Sequence, residues 1–74
     1  MFYSTTAKTN LALSLPAGRH REAATDILFH HADVLKNQNE VDFLHGLAAS
    51  QFQHATARQY AWLAQIAKRA GVRL

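Results

Sequence analysis

Histidine and carboxylate side chains occur twice at a spacing that suits metal binding. His30 and Asp33 are three residues apart, and Asp42 and His45 repeat that spacing in the reverse order. Residues three apart share one side of a helix, and imidazole with carboxylate binds iron or zinc in helical bundles. Bundle metal sites use more inward-facing carboxylates than this sequence offers. We therefore expect Asp33 and Asp42 to lie at helix ends and to hydrogen-bond to exposed histidines, and we predict no metal site and no other cofactor.

The residues that nucleophilic catalysis usually needs are missing. The sequence has no cysteine, and its three glycines (Gly18, Gly46 and Gly71) can form neither a Gly-x-Ser-x-Gly elbow nor a glycine-rich phosphate loop. A chain of 74 residues also leaves little room for a pocket from which water is excluded. We therefore expect a protein that is not an enzyme and has no small-molecule substrate.

Basic side chains in the last part of the chain suggest binding to phosphate. Residues 43–74 contain four Lys/Arg and no Asp/Glu. Arg and Lys neutralise phosphates, and nearby Gln and Tyr side chains can donate hydrogen bonds to them. In the helix predicted there, Arg58, Gln65 and Arg69 lie opposite Trp62 and should face solvent. The predicted nucleic-acid-binding residues are Arg58, Lys68, Arg69 and Arg73.

Aromatic side chains suggest a different function, binding to another protein. Trp62 falls on the inner stripe of its helix, and we assign it to the core. Aromatic side chains outside the best apolar stripes are candidates for a surface that another molecule covers. They are Phe2, Tyr3, Phe29 and Phe43. Such a surface would serve a homodimer or dock on another protein.

These side chains are carried by three helices that the apolar spacing predicts over residues 19–71. The stripe of the first helix has i, i+3, i+4, i+7 spacing: it is Ala24, Ile27, Leu28, His31 and Leu35. The second helix begins at the N-cap Asn37, with Glu40 reaching back in a variant of the capping box. Its apolar face is Val41, Leu44, Leu47, Ala48 and Phe52. Gly46 on this helix offers room for a close helix approach.

The third helix has clear signals at both ends. Thr56 and Gln59 fit a capping box at its start, and Gly71 fits a left-handed C-cap at its end. Its inner stripe is Trp62, Leu63, Ile66, Ala67 and Ala70. Before the first helix, the alternating leucines of residues 11–15 fit a short strand or an extended arm. The prediction is a single all-α domain (residues 1–74) with a helical core over residues 19–71 and an extended or short-strand arm over residues 1–18.

Composition limits the chain to one small folded domain. The 74 residues weigh 8.3 kDa, and 49% of them are apolar. The net charge of +3 is unevenly spread: residues 1–21 carry three cations and no acid (+3), residues 22–42 carry one cation and five acids (−4), and residues 43–74 carry four cations and no acid (+4). These segments either neutralise one another or present basic surface to an acidic partner.

The N-terminal segment does not look like a membrane or secretion signal. Its best apolar run, residues 11–15, is far shorter than the roughly 20 residues that span a bilayer. The first six residues carry no charge, whereas a secretory signal begins with a charged region. We therefore expect no membrane association and a cytoplasmic location.

Residues 25–71 resemble a short helical segment that recurs in small phage and plasmid proteins. Those segments often read hADxLNDWExDFLxSI…LSxKQxxWLxxI. The match includes His31-Ala32-Asp33, Asp42-Phe43-Leu44 and Trp62-Leu63. Gln38-Asn39 stands where an Asp-Trp pair is usual, and Thr56-Ala57-Arg58 where Leu-Ser-x-Lys is usual. The resemblance implies a helical module of a mobile element that works near DNA-processing proteins, with no assigned activity or functional residues.

The predicted function is a small non-enzymatic binding module of phage or mobile-element type that contacts nucleic acid through the basic face of its third helix. The alternative is a protein–protein adaptor or inhibitor that docks on a host or phage protein. Phosphate binding weakens steeply with salt, whereas an apolar protein interface changes little. Salt dependence therefore separates the two.

Overall fold

The computed structural model describes residues 15–74, and that part of the chain forms three α-helices. They are α1 (Arg19–His30), α2 (Gln38–Ala48) and α3 (Ala57–Ala70), and a short 3-10 turn (Ala32–Val34) joins α1 to α2. Residues 15–74 contain no β-strand, so the all-α prediction is confirmed. Most of the predicted arm, with Phe2 and Tyr3, lies outside the described residues. None of the three helices has the length and apolar content needed to cross a bilayer.

The three helices surround a small apolar core. α1 packs against both α2 and α3. The buried core residues are Ala23, Ala24, Ile27, Leu44, Leu47, Leu63, Ile66 and Ala67. Burying a side chain the size of Leu or Ile stabilises a fold by about 1.5–3 kcal/mol. The Leu and Ile members of this set therefore supply most of the hydrophobic stabilisation.

α1 is shorter than its apolar spacing predicts. The predicted stripe continues through Leu35, but the helix ends at His30 because His31 leaves the helical conformation (φ −138°). The chain then tightens into the 3-10 turn, where the N–H of Val34 donates to the carbonyl oxygen of His31 at 3.1 Å. The turn still brings Leu35 against the core. The spacing therefore predicts the inward packing of Leu35 correctly, but not the backbone conformation that carries it.

α2 begins at its predicted cap. The Oδ1 of Asn37 accepts a hydrogen bond from the N–H of Glu40 at 3.1 Å. The Glu40 carboxylate accepts from the N–H of Lys36 at 2.8 Å, one residue before the predicted donor. Two other predictions for α2 are wrong. Phe52 lies beyond the end of the helix and is 76% exposed. A Cβ on Gly46 would meet no atom of residues 15–74 within 4 Å, so neither α1 nor α3 approaches there.

Both predicted ends of α3 are confirmed. The Thr56 hydroxyl accepts from the N–H of Gln59 at 3.1 Å, and the Gln59 side chain accepts from the N–H of Thr56 at 2.9 Å. Gly71 ends the helix with φ 75°, a left-handed conformation that glycine adopts without strain. The N–H of Val72 then donates to the carbonyl oxygen of Ala67 at 2.9 Å, which fixes the start of the tail.

Trp62 lies at the edge of the core. Its ring stacks on that of Phe43 in α2, with the ring centroids 4.1 Å apart and the planes inclined by 21°. Both side chains are partly buried against the core residues. The prediction of a core Trp62 is therefore confirmed only in part. The prediction that Phe43 needs another molecule to cover it is wrong, because Trp62 covers it.

Candidate nucleic-acid interface

One side of α3 is exposed and positively charged. We call Arg58, Ala61, Gln65 and Lys68 the outer face of α3, since all four are exposed and lie within about 80° of one another around the helix axis. The buried Leu63 lies on the opposite side. Arg58 and Lys68 are ten residues apart, which separates the two charges by about 15 Å along the axis.

No Asp or Glu side chain offsets this charge within α3 or its tail. The five acids of the chain all fall between residues 22 and 42. The side chains of Arg58, Lys68 and Arg73 make no hydrogen bond or ion pair with any other group in residues 15–74. Arg58 also lies in the first turn of α3, where the helix dipole is positive. This end of the helix therefore favours an anion.

Arg69 differs from the other predicted contacts. Its guanidinium forms an ion pair with Glu40 of α2 and donates to the carbonyl oxygen of Val34 at 2.6 Å. The Arg69 side chain is 28% exposed and that of Glu40 is 8% exposed. The prediction that Arg69 faces solvent is therefore wrong, because its side chain ties α3 to α2 and to the 3-10 turn. The hydrogen bond from Arg69 also lowers the pKa of Glu40 below its ordinary value, as does the N–H of Lys36.

Arg73 lies in the tail that follows α3. Its neighbours Val72 and Leu74 pack against the core, while Arg73 itself is exposed. The Arg73 carbonyl oxygen accepts a hydrogen bond from the guanidinium of Arg19. The backbone of the tail is therefore anchored, and the Arg73 side chain extends into solvent beside the end of α3.

The arginines near the start of α1 hold the fold together. Arg21 donates to the carbonyl oxygens of Ser50 and Phe52, at 3.2 Å and 2.6 Å, and so fixes the loop between α2 and α3. The N–H of Gly18 adds a hydrogen bond to the carbonyl oxygen of Gln53 at 2.8 Å. These cations satisfy backbone groups of a loop and are not presented to a ligand.

The two histidine–aspartate pairs form no metal centre in the part of the chain that the structure describes. No group of three or more His, Asp or Glu side chains is arranged there to hold a metal ion. Asp42 accepts a hydrogen bond from the side chain of Gln38, one turn earlier in α2, at 2.9 Å. His30 packs edge-on against His31, with ring centroids 6.5 Å apart.

Two imidazoles with buried nitrogen atoms belong to His20, at the start of α1, and His54, in the α2–α3 loop. His20 is 2% exposed, and its Nε2 and the Nδ1 of His54 are buried without a hydrogen-bond partner in residues 15–74. Burial lowers the pKa of His20, and the charges of Arg21 and His54 lower it further. His20 shares the inner face of α1 with Ala23 and Ile27. Helical periodicity from these two residues could therefore have identified it as a buried residue.

The side of α1 that faces away from the core carries an uncovered aromatic ring. Phe29 is 76% exposed and so lies on the surface, outside the core. We call Glu22, Thr25, Asp26 and Phe29 the outer face of α1. An open hollow of about 390 Å³ lies along it, lined by Arg21, Glu22, Thr25, Asp26, Phe29 and His30. This surface offers an apolar contact flanked by two carboxylates.

Similarity to known proteins adds no further constraint on the function. No protein-family model, curated protein or solved structure matches this chain. The chemistry of the exposed groups is therefore the guide: three cations on α3 and its tail suit an anion, and the outer face of α1 suits an apolar and cationic surface.

Proposed function

We propose that this protein is a non-enzymatic binding module that contacts the phosphate backbone of nucleic acid through Arg58, Lys68 and Arg73. The supporting observation is that these three exposed side chains have no partner in residues 15–74 and that their own segment, residues 43–74, contains no Asp or Glu. The fold uses its other arginines internally: Arg19, Arg21 and Arg69. Exposed cations that no internal carboxylate neutralises attract phosphate.

The expected contact is with phosphate and sugar groups rather than with base edges. Between its two charges the outer face of α3 carries Ala61 and Gln65. It therefore lacks a row of long side chains that could contact base edges in a DNA groove. The amide of Gln65 can donate to a phosphate oxygen. We therefore expect binding that depends little on base sequence. The resemblance to phage and plasmid proteins is in keeping with such a role on a mobile element.

Arg69 is left out of the proposed contact set. A phosphate would have to compete for its guanidinium with the Glu40 carboxylate and the Val34 carbonyl oxygen. Losing this contact would leave the nearly buried Glu40 carboxylate without its cationic partner. Arg69 therefore supports the interface by holding α3 in place.

The test is fluorescence anisotropy of labelled duplex and single-stranded oligonucleotides over a range of salt concentrations. Three phosphate contacts predict a slope of log affinity against log salt of about −2.7 for duplex DNA, which is roughly a 40-fold loss between 50 and 200 mM salt. Arg58→Gln and Lys68→Gln should each weaken binding and reduce the slope by about one. Absence of binding at low salt would overturn the proposal.

Lys36→Gln is the matched control for net charge. Lys36 is exposed in the segment between α1 and α2 and is not part of the outer face of α3. The variant removes the same charge as Lys68→Gln. Its binding and salt slope should therefore stay close to those of the original protein. Equal losses in Lys36→Gln and Lys68→Gln would show that net charge, and not the outer face of α3, accounts for the binding.

Docking on another protein is the second candidate function, and the exposed Phe29 favours it. An interface centred on an aromatic ring relies on apolar burial, which salt does not screen. Phe29→Ala would abolish such binding and leave the salt slope for nucleic acid unchanged. The two functions therefore differ both in salt response and in the surface that a single substitution removes.

A further inference from the structure

The outer faces of α1 and α3 carry complementary groups at matching intervals. On α1, Phe29 lies seven residues after Glu22, and on α3 the exposed Ala61 lies seven residues before Lys68. Seven helical residues span about 10.5 Å. Positions 22 and 29 are therefore as far apart along α1 as positions 61 and 68 are along α3.

Aligned antiparallel with Phe29 over Ala61, the two faces bring opposite charges together. Glu22 then lies opposite Lys68, and the small Ala61 side chain leaves the space that the Phe29 ring requires. At the other end, the exposed Asp33 in the 3-10 turn comes to the same end as Arg58. An antiparallel arrangement also sets the positive end of each helix dipole beside the negative end of the other.

The groups on the outer face of α1 are free to make these contacts. Phe29 is 76% exposed and the Glu22 side chain is 72% exposed. Glu22 lies 3.5 Å from Arg19, but an exposed pair of this kind contributes at most about 1 kcal/mol. Arg21 lines the same hollow, yet its guanidinium is bound to the carbonyl oxygens of the α2–α3 loop. Of the charged groups on this face that are available to a partner, the one nearest to Phe29 is therefore negative.

We propose that copies of this chain associate head to tail, with the outer face of α1 in one copy packed antiparallel on the outer face of α3 in the next. The occupant is a second copy because the complementary charge pattern lies on the same chain. When the α1 face of one copy binds the α3 face of another, the pair still has one free α1 face and one free α3 face. Further copies can therefore bind at both ends. The proposal does not depend on nucleic-acid binding, and its test contains no nucleic acid.

Sedimentation velocity of the whole chain, from micromolar to millimolar concentration, measures this association. At low salt the weight-average mass should rise with concentration from 8.3 kDa to beyond twice that value. Phe29→Ala and Lys68→Glu should each keep the chain monomeric. Phe52→Ala is the matched control, because its ring is equally exposed but lies in the α2–α3 loop, and it should associate as the original chain does. A mass that stays at the monomer value at every concentration would overturn the proposal.

Mixing the two monomeric variants distinguishes head-to-tail contact from a symmetric one. The Phe29→Ala chain keeps its α3 face and the Lys68→Glu chain keeps its α1 face, so an equimolar mixture should form dimers and nothing larger. Failure of the mixture to dimerise would refute the pairing of these two faces. Association that Phe29→Ala abolishes but Lys68→Glu leaves intact would indicate a symmetric contact between two α1 faces and would refute it equally.

Charge reversal tests the register. Glu22→Lys should abolish association, and the double variant Glu22→Lys/Lys68→Glu should restore it, because the pair is then reformed with its charges exchanged. All of these positions are exposed, and far-UV circular dichroism should confirm unchanged helix content. A double variant that stays monomeric while folded would exclude the proposed alignment.

Discussion

At the scale of single residues, neighbouring cations at the end of α3 have different roles. Lys68 faces solvent, while Arg69 pairs with Glu40 and binds the Val34 carbonyl oxygen. The carboxylate of this pair is almost removed from water. Breaking the pair would therefore leave a charge without compensation, which costs more than the loss of one exposed contact.

We predict that Arg69→Met lowers the free energy of unfolding by about 1.5–3 kcal/mol, the value of a hydrogen bond to a charged group. Methionine keeps most of the apolar stem, so the loss reports the guanidinium. Urea unfolding followed by circular dichroism measures it. Lys68→Met, one residue away and exposed, should change stability by less than about 0.5 kcal/mol. If Arg69→Met and Glu40→Gln proved additive in the double variant, the two side chains would not be coupled and this account would fail.

His20 should make stability depend on pH in the weakly acidic range. Its pKa in the folded chain is lowered from 6.5 by burial and by the charges of Arg21 and His54. The unfolded chain therefore takes up the proton first as the pH falls. The stability gained from the neutral imidazole is present above about pH 6.5 and is lost as the pH falls through the folded pKa.

The measurement is the free energy of unfolding at about pH 7.5 and about pH 5.5. The original chain should be less stable at the lower pH. Both pH values lie above the range in which Glu40 takes up its proton, so this carboxyl group does not contribute to the difference. His20→Gln, which has no titrating group at this position, should reduce that difference. An unchanged pH dependence in His20→Gln would show that His20 is not its source.

Sequence patterns predict local side-chain roles better than long-range ones. Asn37, Thr56 and Gln59 bond to backbone groups within three residues, and their hydrogen bonds are found where the patterns place them. Glu40 and Arg69 lie 29 residues apart, and nothing in the spacing of either residue specifies the other. Arg69 also lies at the margin of the polar side of α3. A long side chain in that position can reach either solvent or a neighbouring helix.

At the scale of elements, the helices end for different physical reasons. α3 ends at a glycine in the left-handed conformation, a signal that sequence carries plainly. α1 ends at His30 without a glycine or proline to stop it, and the chain continues into the 3-10 turn. Both ends of α3, a capping box and a glycine, can therefore be predicted from the local sequence. The end of α1 depends on packing instead.

Two glycines should respond oppositely to alanine. Gly71→Ala forces a Cβ into a left-handed backbone (φ 75°) and should destabilise the chain by roughly 1 kcal/mol. Gly46 lies inside α2 in open space, so Gly46→Ala should stabilise the chain by about 0.5–1 kcal/mol. Thermal unfolding of both variants measures the difference. Loss of stability in Gly46→Ala would contradict the open space found around this position.

At the scale of the whole molecule, a single side of α3 serves both proposed contacts. Phosphate binding and head-to-tail association each use Arg58 and Lys68, so one copy of the outer face of α3 cannot make both contacts at once. The two equilibria are therefore linked. Nucleic acid bound to this face weakens self-association, and self-association weakens nucleic-acid binding by the same factor.

A chain that has lost its α3 face but keeps its α1 face should therefore displace nucleic acid. Lys68→Glu should bind oligonucleotides weakly, yet its Phe29 surface can pack on the α3 face of the original protein. Added in excess to a complex of the original chain with a labelled duplex, it should lower the anisotropy towards that of free duplex. Phe29→Ala/Lys68→Glu, which has the same net charge and neither intact face, should leave the complex undisturbed. Equal displacement by both variants would reveal a general charge effect, and displacement by neither would show that the two contacts do not share a surface.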